Sequence, residues 1–199
     1  MAVQPRDGRN AGLHRRRLKR LLQAVAVAGV ASLAAVLVWR AVHDERPQVP
    51  TRIEGKRVRA PDFTLRRLDG GSKLALASLR GKAVVLNFWA SWCAPCKDEI
   101  PELERAWRAQ RGRDLVFVGV DVEDAASDAR SFARRHGITY PLVRDPHARL
   151  LTRYNVPHLP ETLFVNRAGI IVGSRIVGGV HLSRNRAAFE RGIELALRR

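Results

Sequence analysis

Cysteine is scarce in this sequence of 199 residues, which contains only two. Secreted folds that are held together by disulfides need several spaced cysteines, so the sequence excludes that class of protein. The two cysteines, Cys93 and Cys96, are separated by only two residues. This C-x-x-C spacing is typical either of a redox pair or of half of a metal site.

Acidic residues are also few, 19 against 36 basic residues, and the formal net charge is +17. A basic balance occurs in proteins that bind nucleic acids or anionic membrane surfaces. Seven of the basic residues lie before Leu21 without aromatic interleaving or a recognition motif, so we expect no nucleic-acid partner. We interpret the other basic residues as a solvated, arginine-rich surface.

One segment, residues 21–39, is 19 residues long and contains no charged side chain. Because a helix of about 20 apolar residues spans a bilayer, we predict a transmembrane signal anchor here. The basic residues 1–20 then form a cytoplasmic tail by the positive-inside rule. A cleaved signal peptide and a buried core helix are the alternatives. The anchor and the signal peptide both export everything after residue 40. With the anchor retained, we expect a single-pass inner-membrane protein whose main domain lies in the periplasm.

Residues 40–59 are polar and contain two prolines, which predicts a linker to a domain formed by residues 60–199. In that domain, short apolar runs of strand length alternate with helical periodicity. This pattern predicts an α/β fold with a mixed central sheet that is covered by helices on both faces. The predicted strands are residues 83–88, 115–120, 140–143, 162–165 and 170–177, with a hairpin turn at residues 69–71; the predicted helices are residues 95–110 and 125–136, one that begins at Pro146 behind a cap at Asp145, and one that runs from a cap at Ser183 to about residue 197.

The cysteine pair lies where a predicted strand ends and a predicted helix begins. The first turn of a helix has unpaired backbone N–H groups and the positive end of the macrodipole, which stabilise a thiolate at Cys93. A lowered pKa raises the thiolate fraction, and only the thiolate attacks a disulfide sulfur. We therefore expect Cys93 to be accessible and nucleophilic, and Cys96 to resolve the mixed disulfide. Pro95 suits the first helical turn, because it has no N–H to leave unpaired.

A zinc site is the alternative for these cysteines. Zinc needs about four ligands, and the sequence has no second cysteine pair. Four histidines follow the motif, but their spacings match no zinc finger. A copper-delivery domain would space its cysteines by three residues. We therefore expect neither a metal nor another cofactor.

The motif WCAPC, preceded by VVLNFWAS and followed by KDEIPEL, resembles the thioredoxin superfamily. Together with the N-terminal anchor, it resembles the TlpA/ResA/CcmG (DsbE) branch of membrane-anchored thiol–disulfide oxidoreductases. The resemblance covers about residues 60–197. It implies that Pro160 is the cis-proline of a loop that faces the cysteines, and that Pro101 lies in the active-site helix. It also implies substrate-binding positions at Trp92, Pro95 and Leu159.

A buried aspartate of cytoplasmic thioredoxins is replaced here by Asn87, which cannot titrate. The ResA-like branch has a functional glutamate at the position of Glu99, one helical turn after Cys96. The resemblance therefore implies that Glu99 accepts the cysteine proton or tunes its pKa. The alternative is an exposed helix glutamate without a role.

The resulting hypothesis is a protein-disulfide reductase that acts on exported proteins through a redox-active disulfide, Cys93–Cys96. Because the exterior is oxidising, a membrane electron donor must restore the dithiol; the resemblance implies a DsbD- or CcdA-like donor and an apocytochrome c client, as in cytochrome c biogenesis. Two alternatives stay open. The first is a disulfide oxidase with the same fold, although Ala94 and Pro95 between the cysteines favour reduction. The second is an anchored binding module with a static disulfide.

Overall fold

The computed structural model describes residues 8–42, 48–51, 53, 55–110 and 112–198. The chain forms two compact units, residues 1–44 and residues 45–199. The first contains a single described helix, α1 (Gly8–Val42). Its segment Leu22–Trp39 has a mean hydropathy of 2.1 and is entirely unburied, and it is long and apolar enough to cross a membrane. An apolar helix was predicted over residues 21–39, and the observed helix is longer at both ends.

The described residues of the second unit form a mixed six-stranded sheet, a two-stranded hairpin, a short 3₁₀ helix at Leu76–Leu79 and four α-helices, which confirms the predicted fold class. The strands are β1 (Val58–Arg59), β2 (Thr64–Arg66), β3 (Lys73–Ala75), β4 (Ala83–Trp89), β5 (Leu115–Val122), β6 (Leu142–Asp145), β7 (Glu161–Val165) and β8 (Ile170–Val177). The helices are α2 (Ala94–Ala109), α3 (Ala126–Arg135), α4 (Arg149–Arg153) and α5 (Ser183–Leu197).

The main sheet has the order β1-β8-β7-β4-β5-β6. Strand β4 lies near its centre, parallel to β5 and antiparallel to β7. All seven residues of β4 are buried, as expected for a continuous apolar run that is covered on both faces. Its side chains alternate between two apolar clusters, with Leu86 and Phe88 in one and Ala83 and Val85 in the other. This central position fixes where the chain enters the cysteine motif.

The prediction that residues 40–59 form a linker is wrong for the described residues from 48 onward. Val49 and Ile53 are buried, at 1% and 4% exposed, in the same core cluster as Phe88. Strand β1 pairs with β8 through Val58 and Arg59. The apolar run here is too short and too polar to predict a strand, but its few apolar side chains are buried in the core. Residues 43–47 of the predicted linker lie outside the described residues.

Two predicted helix starts also differ from the structure. The helix expected at Pro146 begins at Arg149, because β6 continues to Asp145 and a turn follows. The Asp145 carboxylate still caps this helix, accepting the N–H groups of Leu150 at 2.7 Å and Leu151 at 3.1 Å. The last helix begins at Ser183 itself, so its cap residue is Leu182, which offers no side-chain hydrogen bond.

Candidate active site

The two cysteines lie at the junction between β4, which ends at Trp89, and α2, which begins at Ala94. Cys93 is the cap residue of α2, and Pro95 is in the first helical turn. The sulfurs of Cys93 and Cys96 are bonded as a disulfide, with the two Cα atoms 5.4 Å apart. The predicted placement at the opening turn of a helix is therefore observed.

Cys93 is less exposed than the sequence predicts. Cys93 is only 5% exposed and Cys96 only 1%. Cys93 nevertheless contributes to the wall of an open groove, which we call the cysteine groove, whereas Cys96 does not. A partner sulfur can therefore approach Cys93 and not Cys96. The groove is lined by Trp92, Cys93, Ala94, Pro95, Val122, Glu123, Leu151, Val156, Pro157, His158 and Leu159.

The loop before β7 forms the opposite wall of the cysteine groove. The Leu159–Pro160 peptide bond is cis, as predicted. Leu159 lines the groove, whereas Pro160 is buried and its carbonyl accepts the N–H of Gly178 at 2.9 Å. The predicted cis-proline and the cysteine motif are therefore brought together, although they are more than sixty positions apart in the sequence.

Trp92 and Pro95 form the exposed rim of the cysteine groove. The Trp92 side chain is 59% exposed, an unusual value for so large an apolar group. Its indole Nε1 donates to the Glu123 carbonyl at 3.1 Å, which fixes the ring across the loop that follows β5. The neighbouring Trp89, in contrast, is buried and stacks on Phe132 with a centroid separation of 5.1 Å.

Glu99 is buried, at 1% exposed, and so differs from an exposed helix glutamate. Its carboxylate accepts the Asn87 side-chain N–H at 2.8 Å and the Val180 backbone N–H at 3.1 Å. Burial raises the pKa of Glu99 to about 7, and the two hydrogen bonds oppose that rise. A carboxyl that titrates near neutral pH, one helical turn from Cys96, is suited to proton exchange. Asn87 also donates to the Thr162 hydroxyl at 3.1 Å.

A second buried acid, Asp121 at the end of β5, was missed from the sequence. Burial first, and the neighbouring Asp124 second, raise the pKa of Asp121 to about 8, and Arg144 opposes the shift. The Asp124 carboxylate accepts the backbone N–H of Ser91 at 2.6 Å, two residues before Cys93. The available pattern in the sequence was the apolar run LVFVGV, which is followed directly by DVED with its three acidic residues.

A buried ion pair behind the cis-proline was also missed. The Arg175 Nε donates to Glu161 Oε1 at 2.6 Å, and Glu161 is fully buried. The same guanidinium donates to the carbonyls of Tyr154 at 3.2 Å and Asn155 at 2.6 Å. Burial raises the pKa of Glu161, whereas the Arg175 guanidinium lowers it. The pair therefore connects β7 and β8 to the start of the loop that carries Pro160. Among the described residues, no group of three or more His, Cys, Asp or Glu side chains is arranged to hold a metal.

Known proteins resemble this chain in both sequence and fold. Residues 57–174 match the model of the AhpC/TSA family. The thiol-disulfide oxidoreductase ResA of Bacillus subtilis is 34% identical over 113 residues, which are 57% of this chain and 63% of that protein. The alignment therefore spans less than two thirds of this curated relative.

Two solved structures from Chlorobium tepidum share the fold. The first, described as a candidate thiol:disulfide interchange protein DsbE, has a TM-score of 0.65 at 27% identity and covers 71% of this chain and 97% of its own. The second, a thiol:disulfide interchange protein of the thioredoxin family, has a TM-score of 0.62 at 29% identity and covers 73% and 99%. The resemblance to ResA and DsbE relatives is confirmed. The chain therefore belongs to the AhpC/TSA family and has a thioredoxin-like fold.

Proposed function

We propose that this protein is a membrane-anchored thiol–disulfide oxidoreductase that reduces disulfides in exported proteins. One observation carries the proposal: a bonded cysteine pair at the start of α2 contributes its first sulfur to a groove whose other wall is a cis-proline loop. The names of the relatives and their fold support the same chemistry.

The reaction begins with the reduced pair. The Cys93 thiolate attacks one sulfur of the client disulfide, and the other client sulfur leaves as a thiolate, which takes up a proton. Cys96 then loses its proton and attacks the Cys93 sulfur, which releases the second client thiol and forms the Cys93–Cys96 disulfide. Two electrons pass to the client. The two protons that Cys93 and Cys96 give up are balanced by the two that the client sulfurs take up. The order follows from access, because only Cys93 lines the groove.

Glu99 is the proposed acceptor for the Cys96 proton. Both groups lie on α2, one turn apart, and both are buried. A carboxyl with a pKa of about 7 is partly ionised at neutral pH and can take up a proton without a large free-energy cost. An acid with an ordinary pKa would hold that proton poorly, because its conjugate base is too weak.

The cysteine groove is the proposed client site. Trp92, Pro95 and Leu159 present apolar surface on both sides of Cys93. An extended peptide that carries the client disulfide fits such a groove, because aromatic and aliphatic contacts tolerate sequence variation. We therefore assign substrate binding to these three side chains.

The location and partners belong to the same proposal. Residues 1–20 would lie in the cytoplasm, residues 21–39 would cross the inner membrane, and the remaining chain would lie in the periplasm. A DsbD- or CcdA-type membrane protein would return electrons to the oxidised pair. An apocytochrome c with an oxidised haem-attachment motif is the proposed client, because the named relatives include ResA and DsbE.

Covalent trapping tests this function. The full chain should reduce insulin disulfides, and Cys93→Ser should abolish that activity. In cells, Cys96→Ser should accumulate mixed disulfides that mass spectrometry can identify, with the double variant Cys93→Ser/Cys96→Ser as the matched control. An apocytochrome c among the captured proteins would support the proposed client. Capture that is equal for Cys96→Ser and the double variant would contradict the mechanism.

Alkylation of the reduced chain at graded pH separates this enzyme from a static disulfide. We expect iodoacetamide to modify Cys93 with a pKa below the value of about 8.5 for a free cysteine, since the helix N-terminus stabilises its thiolate. An ordinary or raised pKa at Cys93, together with no insulin reduction, would instead favour the anchored binding module.

A further inference from the structure

The loop that follows β5 contacts the residues before Cys93 at two points. Asp124 Oδ2 accepts the backbone N–H of Ser91 at 2.6 Å, and the Glu123 carbonyl accepts the indole N–H of Trp92 at 3.1 Å. Glu123 has a φ of 47°, a left-handed conformation that is uncommon for residues other than glycine, asparagine and aspartate. The loop therefore adopts a costly backbone geometry at the position where it holds the groove rim.

A carboxyl pair lies at the base of this loop. Asp121 is 1% exposed, and Asp124 follows it by three residues; after burial, Asp124 is the largest cause of the raised pKa of Asp121, and Arg144 contacts both residues. Arg144, the register neighbour of Asp121 on β6, places its Nε 3.6 Å from Asp121 Oδ2. Its Nη2 donates to the Asp124 carbonyl at 2.8 Å. Asp121 Oδ1 is buried without a hydrogen-bond donor among the described residues.

These contacts suit a shared proton. Two neighbouring carboxylates repel each other when both are ionised, and a proton on one of them converts the repulsion into a hydrogen bond. The charged groups that act on Asp121 are Asp124 from its own loop and Arg144 from β6; its neighbour on β4 is the uncharged Trp89. One guanidinium at 3.6 Å offsets the repulsion only in part.

We propose that Asp121 and Asp124 form a proton-sharing pair that positions residues 91–93 and thereby the groove rim and the attacking sulfur. Asp124 is the direct contact, Asp121 holds Asp124 in place, and Arg144 holds the loop backbone. When both carboxyls ionise, Asp124 is repelled from Asp121 and releases Ser91. The raised pKa of Asp121, about 8, agrees with this order of events. The consequence for catalysis rests on the proposed function, whereas the positioning itself does not.

Fluorescence of the oxidised full chain in detergent tests the positioning, because neither cysteine titrates while the disulfide is intact. The Trp92 signal is obtained by subtracting the spectrum of Trp92→Phe. We expect its emission and its acrylamide quenching to change as the pH rises through about 8. Asp121→Asn should abolish this transition, because an amide stays neutral. Asp128→Ala, which removes an exposed acid from α3, should retain it.

Insulin reduction then tests the consequence for catalysis. Asp124→Ala should lower kcat/KM by about tenfold, the size expected for losing one hydrogen bond to a charged group. Asp124→Asn keeps an oxygen for Ser91 and should recover most of that loss, while its Trp92 signal becomes independent of pH.

A Trp92 signal in the wild type that does not change with pH, or a transition that persists in Asp121→Asn, would overturn the proposal. Equal activity of Asp124→Ala and the wild type would do the same. A wild-type chain that reduces no insulin would contradict the proposed function instead, and the fluorescence titration would still decide on the carboxyl pair.

Discussion

One face of the central sheet is apolar at one end and polar at the other. Val85 on β4 has Phe117 and Phe164 as its cross-strand neighbours. Two residues further along, Asn87 has Thr162 as its neighbour and binds Glu99 from α2. Because cross-strand partners share a face, this is one continuous surface with two different compositions. The polar end is the end next to the cysteines.

The two ends contribute differently to the protein: the apolar end stabilises the fold, whereas the polar end contains the titratable group next to the cysteine motif. The apolar end gains free energy from burial, at roughly 25 cal/mol for each Å² removed from water. The polar end buries a carboxyl that titrates near neutral pH, and such a group costs stability when it ionises. Glu99, the proposed proton acceptor, is therefore buried at the expense of stability.

The largest effect is expected at the apolar end. Phe164→Ala removes a fully buried ring that contacts Phe189 with a centroid separation of 5.9 Å. We expect a loss of about 3–5 kcal/mol in the free energy of unfolding, from lost burial and an unfilled cavity. Urea unfolding of the full chain in detergent measures it. The pKa of Cys93, measured by alkylation, should not change; a shift there would mean that the two ends are not independent.

Glu99→Gln is expected to have the next largest effect, which depends on pH. Since the pKa of Glu99 rises from 4.5 to about 7 on folding, the unfolded chain loses this proton before the folded chain does. Stability should therefore fall as the pH rises from about 4.5 to about 7, by about 3 kcal/mol in total. The glutamine variant should lose the Glu99 part of this slope and keep the part that Asp121 contributes, and the pH–rate profile of insulin reduction should shift.

Unfolding of the oxidised protein across this pH range checks the slope without interference from the cysteines. Glu190→Gln, which changes an exposed glutamate on α5, is the matched control and should retain it. If Glu99→Gln leaves both the dependence of stability on pH and the rate profile unchanged, Glu99 has only a structural role.

The smallest effect is expected for Thr162→Val, which keeps the side-chain shape and removes the hydroxyl. Asn87 loses one of its two acceptors but keeps Glu99 Oε1. We expect a loss of about 1 kcal/mol, the net contribution of one hydrogen bond. A loss as large as that of Phe164→Ala would show that the polar end is more important for stability than proposed.

The sequence predicted the parts of this molecule that depend on local patterns. The apolar runs of β4 and β5, the strand-to-helix position of Cys93, and the α2 periodicity all appear in the structure. Pro160 was predicted from its resemblance to a known loop, because spacing alone does not distinguish a cis-proline from a trans-proline. For Glu99, the structure adds what the sequence does not show: the side chain is buried, with hydrogen bonds to Asn87 of β4 and to the backbone of Val180.

Features that depend on distant partners were not predictable. Strand β1 has only two residues and forms because β8 offers a free edge. Val49 is buried by the fold, although its neighbours in the sequence are polar or proline. The Asp121–Asp124 contact needs a loop geometry that no residue pattern specifies, and the Glu161–Arg175 pair joins two strands whose register the sequence does not reveal.

The reduction potential of the Cys93–Cys96 pair tests the central claim most directly. Equilibration of the full chain with glutathione buffers, followed by quantification of the free thiols, gives this value. We predict a reducing couple near the thioredoxin value of about −270 mV, since the dithiol must give electrons to a client disulfide. A potential above about −150 mV, in the range of strong oxidants, would contradict the account and make this protein a disulfide donor.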